Sequence, residues 1–516
     1  MPPPDTAGAF LFMVMPAFDP RREMSASPKF GPIVDLHSIL IRFRGKLAIC
    51  GWNHIVKLFQ MQKPSIIYTS LFLLTVSGLF LLDSGEMEET SAQYDRISDP
   101  HQFTVFLKEG GWCWFQDPRA IIHNEHLFIG SVQGNGSGSA LIGIFDLEAG
   151  NALGTVVAKE DFDHDDHNSP VFYPRPNGSV LAMYARHGRE KLHYFRISDR
   201  KNYLQWGQEQ VIDHDEFLAE RDKVTYMNLY FLEREGKLYN FYRGFGWNPS
   251  FVTSTDHGVT WGEDTHFIES DLEGYPRPYV RYASNGSDTI YLSITDGHPQ
   301  QFGNSIYYAE FRNGRFYRAD GSLIKTLASD GPLQISEAER VYKGTGSPGR
   351  GPELSAAGAA WTSSIAVDGT GHPHIAYSVY LSNSDNRYRL ASWDGARWID
   401  REVAYGGNSL YDREASYTGL IALDPIDPTV VAISTDVGPL TGEYRGGNHE
   451  IYRARIRLQD QLESIQWKQV TQNSPVRNLR PVIVRDQTSR VILWNRGEFR
   501  TFRDYQMDTV GLVEPI

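Results

Sequence analysis

From residue 111 onward one object recurs seven times: a strand, a turn rich in Asn, Asp or Gly, and a second strand. The hairpins occupy residues 115–132, 163–188, 225–243, 275–298, 362–378, 417–435 and 479–494. Their turns fall at 123–126, about Asn177, at 234–235, 284–287, 369–371, 424–428 and 486–488. Turn centres lie roughly 50–60 residues apart, except for a gap of about 84 between the fourth and fifth. That gap contains the Gly/Pro/Ser-rich residues 344–352. An all-strand repeat of this length, each unit unable to bury its faces alone, predicts propeller blades. The expectation is an all-β, seven-bladed β-propeller of four-stranded antiparallel blades spanning residues 105–516. Two packed sandwiches would not repeat with this period.

One segment adds a turn chemistry found in such blades. Residues 254–261 read Ser-Thr-Asp-His-Gly-Val-Thr-Trp, the Asp-box pattern. Asp256 is expected to take backbone N–H groups, Gly258 to supply a positive φ and Trp261 to pack under the blade. The role is structural.

The first hundred residues read differently. Residues 66–82 are 17 uncharged, mostly apolar positions, preceded by Met61 and Lys63 and followed by small and acidic residues from Asp83. That order matches a secretory signal peptide at 61–84. A membrane anchor is the alternative, at the short limit of a span. Residues 1–60 are then an extension or an upstream start, expected to be disordered, and 85–104 a linker. Two cysteines, Cys50 and Cys113, give no disulfide framework. The net charge of −13 argues against nucleic acid as a partner. An anionic substrate therefore needs a local cluster of cations. Nothing in the chain marks a protein partner, so a monomer is expected.

Folding the second hairpin about Asn177-Gly178 puts His167 and His187, ten residues away on either side, directly across from each other. Asn168 and Arg186 lie beside them. The third hairpin, folded about 234–235, opposes Tyr226 to Arg243. The fourth, folded near Gly286, opposes Tyr275 to His298, with Arg277 and Tyr279 on the same strand. All sit at the open ends of their hairpins, which successive blades present on one face. No hairpin mouth offers the carboxylate pair that a glycosidase normally uses. Arg clamps a carboxylate bidentately, neutral His is a base near pH 7, and Tyr donates a proton or, beside Arg, loses one more readily. Such a set suits β-elimination next to a uronate carboxylate. His167 and Tyr226 are read as the base and acid pair, in either order, with Arg243 and His187 on the carboxylate.

Residues 110–120 (Gly-Gly-Trp-Cys-Trp-Phe-Gln-Asp-Pro-Arg-Ala), the Asp-Asp-His-Asn-Ser-Pro run at 165–170, Tyr-Ala-Arg-His at 184–187, Tyr-Arg-Gly at 242–244 and Thr-Asp-Gly-His-Pro at 295–299 resemble the BNR-repeat propellers that include ulvan lyases of polysaccharide lyase families twenty-four and twenty-five. The resemblance implies a seven-bladed propeller that cleaves sulfated rhamnose–uronate chains. It implies His167 and His187 as the active-site histidines and Arg243 as the carboxylate-binding arginine. Tyr226 would be the catalytic tyrosine, with Tyr230 an alternative of the same strand parity, and Tyr279 would touch the sugar. Asn168, Arg186, Tyr275 and Arg277 are the further substrate-binding candidates. No catalytic cofactor is expected. A structural metal near the axis is implied, zinc before calcium, with His298, His374, His449 and Cys113 as candidate ligands. Three rival readings remain: an exo-acting rhamnosidase using the opposite face, a non-catalytic glycan-binding propeller, and a sialidase. The last is echoed only by residues 195–198, Phe-Arg-Ile-Ser, which lack the signature proline.

Overall fold

The computed structural model describes residues 39–43, 46–50 and 103–516, apart from 135, 275–276 and 348–355. Two compact units separate at the boundary between Glu89 and Thr90. In the first, Ile39–Phe43 pairs antiparallel with Lys46–Cys50, a hairpin within the stretch expected to be disordered. Residues 61–84 lie outside the described residues. Among the described residues no helix is long and apolar enough to cross a membrane.

The second unit is the seven-bladed propeller. Blade 2 shows the pattern, with Val171–Pro174, Val180–Tyr184, Leu192–Ile197 and Gln210–Asp213 in simple antiparallel order from the axis outward. A blade is covered by a neighbour on each face, so its inner strands cannot alternate apolar and polar as a one-sided sheet does. Val180–Tyr184 and Val430–Thr435 are accordingly buried at every position. Blade 7 closes the ring. Its inner strands, Arg477–Arg485, Ser489–Thr501 and Asp504–Pro515, come from the end of the chain, and Thr104–Leu107 supplies the outer edge. The long gap between the fourth and fifth repeats carries additional structure on blade 4. Arg315–Tyr317 and Leu323–Thr326 form an added hairpin, and Glu339–Tyr342 pairs with Ile306–Arg312.

The Asp box forms as expected. The Asp256 carboxylate accepts from the backbone N–H of Val259 and Thr260 and from the Ser254 and Thr260 hydroxyls. Gly258 has φ +86°, and a Cβ there would lie 2.3 Å from a Leu181 methyl of the neighbouring blade, so only glycine fits. Trp261 packs against the core of blades 2 and 3.

The axis is filled by a plug. The Gly-Gly-Trp-Cys-Trp-Phe-Gln segment leaves Gly110–Gly111 and touches blade after blade. The fully buried Trp114 indole donates to the carbonyl of Thr418 and stacks on Tyr417 at 4.7 Å between ring centroids. Phe115 stacks on Trp361 at 5.4 Å and meets Tyr279 edge-on at 4.0 Å. The Gln116 amide donates to the carbonyl of His167. Large aromatic rings fill a central channel at low conformational cost. They also divide it into two separate ends.

Candidate functional site

At the open end of the second hairpin the ladder register, Val180 opposite Pro174 and Met183 opposite Val171, extends to set His167 across from His187. The His167 and His187 rings stack with centroids 3.9 Å apart and planes 16° from parallel. His167 lies in the short 3-10 turn Asp166–Asn168, which Asp165 caps by accepting the His167 N–H. Asn168 is buried and fully used within the fold. Its carbonyl oxygen accepts the His187 backbone N–H at 2.8 Å, and its amide donates to the carbonyls of Phe162 and Asp163. Asn168 therefore positions His187 instead of facing a ligand.

Asp165, which the sequence reading passed over, organises the pair. The His167 Nδ1 lies 2.7 Å from its Oδ1, and the His187 Nδ1 lies 3.1 Å from its Oδ2. The Arg503 Nε donates to Oδ2 at 3.1 Å. An ionised carboxylate only accepts, so both imidazoles carry hydrogen on Nδ1. Each Nε2 then points away from Asp165. Burial alone would raise Asp165, but His187 and His167 hold it well below the usual carboxylate range. Burial also opposes charge on His167, which Cys113, Asp165 and Tyr226 nonetheless raise well above its ordinary value. Burial pushes Cys113 and Tyr226 up and leaves them neutral near pH 7, so Asp165 is the anion that supports the charge there. His187 shifts the other way, lowered by burial and by charged His167. The pair thus holds one shared charge, centred on His167. His187 stays neutral and is the more open of the two, at 25% side-chain exposure against 5%.

Tyr226 reaches the same place by a different route from the one its spacing suggests. Below it the third hairpin keeps the predicted register, Asn228 opposite Phe241, but a bulge follows and Arg243 pairs with Thr225, not Tyr226. Tyr226 sits in the bulge at φ +69°, a conformation that a bulky residue adopts only when its surroundings impose it. The extra residue re-aims the side chain. Its ring centroid lies 5.8 Å from His167 and 6.4 Å from His187, and the Arg243 guanidinium sits over it at 5.1 Å. Behind the bulge the Tyr226 carbonyl faces His193 Nε2 at 3.1 Å. His193 contacts His214 at 2.7 Å, and His214 contacts Asp264 at 2.8 Å. This buried chain braces the strained backbone. Burial and Tyr279 push the Tyr226 hydroxyl well above its ordinary pKa despite Arg243, so it remains protonated near neutrality. The alternative, Tyr230, is spent elsewhere, its single hydroxyl proton shared between Asp117 and the carbonyl of Tyr282, each 2.9 Å away.

Arg243 is buried, donates to the carbonyl of Pro278 at 3.3 Å and lies over the Tyr279 ring at 4.7 Å. Tyr279 itself is 6% exposed and packs on Phe115, His298 and Trp361. It buttresses Arg243 more than it opens to a ligand. The fourth hairpin's register, Val280 opposite Ile294, is one residue off the predicted fold about Gly286. Its strand begins at Val280, so Arg277 and Tyr279 precede it. Tyr275 lies outside the described residues. Arg277, at φ +49°, lies near the His298–Glu414 pair. Arg186 turns away from the histidines, pairing with Glu190 at 3.8 Å over the Phe162 ring.

The candidate metal ligands do not converge. Among the described residues no three of Cys113, His298, His374 and His449 offer ligand atoms within 4.8 Å of one another. His298 faces Glu414 at 3.5 Å, and His374 lies at the turn end of its hairpin between Ser392 and Asp368. His449 is buried near Asp436 and Arg477. Two other groups do come together, Cys113 with Asp166 and His167, and Asp165 with His167 and His187. In each the carboxylate is already bound by an arginine: Arg480 holds Asp166 at 2.8 Å, and Arg503 holds Asp165. In the second group both carboxylate oxygens are thereby taken, whereas in the first Asp166 Oδ1 has no hydrogen-bond partner among the described residues.

A family model described as BNR repeat-containing family member matches residues 135–405. Two solved structures of a PL25 ulvan lyase, one bound to -[GlcA(1-4)Rha3S]-, superpose with a TM-score of 0.55 at 15% sequence identity, covering 79% of this chain and 95% of theirs. A puromycin hydrolase superposes with a TM-score of 0.44 at 10% identity, over 78% of this chain and 53% of that one. No curated protein sequence matches. At these identities the likeness is one of fold.

Proposed function

The chain belongs to the BNR repeat-containing family, and from that premise we propose that it is a polysaccharide lyase cleaving a uronate-containing, sulfated polysaccharide of the ulvan type by β-elimination. The observation that carries the reading is Asp165 holding two stacked imidazoles beside a tyrosine and a buried arginine. The nearby acids speak against hydrolysis. Asp165 and Glu414 are both held below their ordinary range, Asp165 by His187 and His167 and Glu414 by His298, against the upward push of burial. Neither is kept protonated, as a glycosidase's acid would have to be.

In the proposed reaction Arg243 and charged His167 take the uronate carboxylate and stabilise the charge that develops on it. His187 Nε2 removes the proton at C5. The C5–H electron pair becomes the C4=C5 double bond as the C4–O4 bond breaks. The Tyr226 hydroxyl delivers a proton to the leaving O4. The spacing-based reading allowed Tyr226 either role and made His167 its partner. The proton assignments favour Tyr226 as acid and exchange the roles of the two histidines. Such a substrate is extracellular, so export through residues 61–84 belongs to the same proposal.

The test is incubation of the purified protein with ulvan, following unsaturated uronate by its ultraviolet absorbance and by mass. Elimination gives products without added water, with absorbance rising as the chain shortens. Shortened chains carrying added water and no absorbance would overturn the lyase in favour of a hydrolase, and unchanged polymer would leave a binding propeller.

A further inference from the structure

At the end of the propeller away from the histidines lies a cavity of about 860 Å³, ringed by hairpin turns that include Asn285–Gly286, Gly369 and Pro425–Ile426. Its sides are apolar, formed by residues such as Ile121, Ile365, Leu423 and Val482. Its inner end is not. Arg281 and Arg480 line it, 5% and 0% exposed respectively. Among the described residues Arg281 makes no hydrogen bond; its nearest acid oxygen, on Asp117, is 3.7 Å away. Arg480 uses Nη1 on Asp166 and on the carbonyl of Trp112, while its Nε and Nη2 have no partner. Arg119 stands close by, 1% exposed, with Nε and Nη2 also unpartnered.

Three buried guanidinium groups thus face two carboxylates, Asp117 and Asp166. A buried cation is costly unless an opposite charge and acceptor atoms accompany it. Water would satisfy the N–H groups but leave the excess charge. The chain's net charge of −13 gives no general attraction for anions, so this cluster is a local exception. The space exceeds what an inorganic ion fills, and its sides suit an apolar body.

We propose that this cavity binds a small organic anion, its carboxylate or sulfate seated on Arg281 and Arg480 and its apolar flank against the hairpin walls. The site is independent of the lyase reading. Phe115 stands between the two ends, with the Arg281 guanidinium over its ring at 4.8 Å and Tyr226 edge-on at 6.1 Å.

Benzoate, its neutral analogue benzamide, and inorganic sulfate serve as probes, titrated calorimetrically into the full chain. Benzoate should bind saturably at one site, at least about tenfold more tightly than benzamide, the discrimination expected of a charge-assisted contact. Sulfate should bind more weakly than benzoate, since it lacks the apolar flank. Arg281→Met keeps the side chain's length and should lose benzoate affinity by about tenfold or more while still melting cooperatively. Ile365→Trp retains both arginines but fills the cavity, so it should block benzoate even if Arg281→Met does not fold. Arg243→Met, at the other end, should bind benzoate as the parent does. Equal binding of benzoate and benzamide, or unchanged benzoate affinity in Ile365→Trp, would overturn the proposal. So would loss of benzoate binding in Arg243→Met.

Discussion

Tyr226→Phe is expected to cut formation of unsaturated uronate by about 10²- to 10⁴-fold, the usual contribution of a positioned general acid. The substitution removes one oxygen and leaves the ring that packs on Phe115 and lies under Arg243. No hydrogen bond of the fold runs through that hydroxyl among the described residues, so the melting temperature should change little. The strained backbone at φ +69° is held by the bulge and by the His193 contact to the carbonyl, neither of which involves the hydroxyl. Loss of rate without loss of stability therefore isolates the proton donor. The parent should also show a rate that falls as pH drops through the pKa of His187. That group is lowered below its ordinary value, and it acts only when neutral. A Tyr226→Phe enzyme that retains near-parental turnover of ulvan would remove Tyr226 from the mechanism.

What the sequence made legible follows from which interactions are local. A hairpin's register is set by its turn, so Asn177-Gly178 was enough to bring His167 and His187 together. The same logic missed by one residue at Tyr226, because a bulge leaves no mark in a strand that otherwise keeps its pattern. Asp165 opens the Asp-Asp-His-Asn-Ser-Pro run, but its role depends on the turn that it caps before His167, and acid runs before a histidine are common at surfaces. Arg503, and Phe502 whose ring meets His167 edge-on at 5.3 Å between centroids, had no signal at all. They lie on the hairpin between Ser489–Thr501 and Asp504–Pro515, and ring closure alone brings them to blade 2. The plug residues were visible as a motif whose function was not. Trp114 and Phe115 look like ordinary strand residues until the blades surround them. The four candidate metal ligands stay apart for a related reason: dispersed residues carry no spacing that a fold must honour, and blade geometry sends them to separate places.

Asp165→Asn is expected to lower turnover about as far as loss of the acid, by about 10²- to 10⁴-fold, although Asp165 touches no substrate. The carboxylate fixes hydrogen on Nδ1 of both histidines and so leaves a lone pair on His187 Nε2. An amide offers one acceptor and one donor. It can satisfy one imidazole in its present tautomer only by opposing the other, and it no longer supports charge on His167. A base with hydrogen on the wrong nitrogen and a carboxylate partner without its charge both follow from one atom change. Stability gives an independent readout. Asp165 has a folded pKa depressed well below that of the unfolded chain, so its contribution is complete above the unfolded value, about 4. It is lost as pH falls through the folded value. The parent should therefore lose melting temperature on acidification more steeply than Asp165→Asn, which has no proton to take up there. Arg503 would be left facing a neutral amide, but it is half-exposed and can turn to solvent. The variant should remain folded near neutral pH. Turnover within about threefold of the parent, in a protein that has lost the steep acid limb, would show that the carboxylate stabilises the fold without orienting a catalytic base.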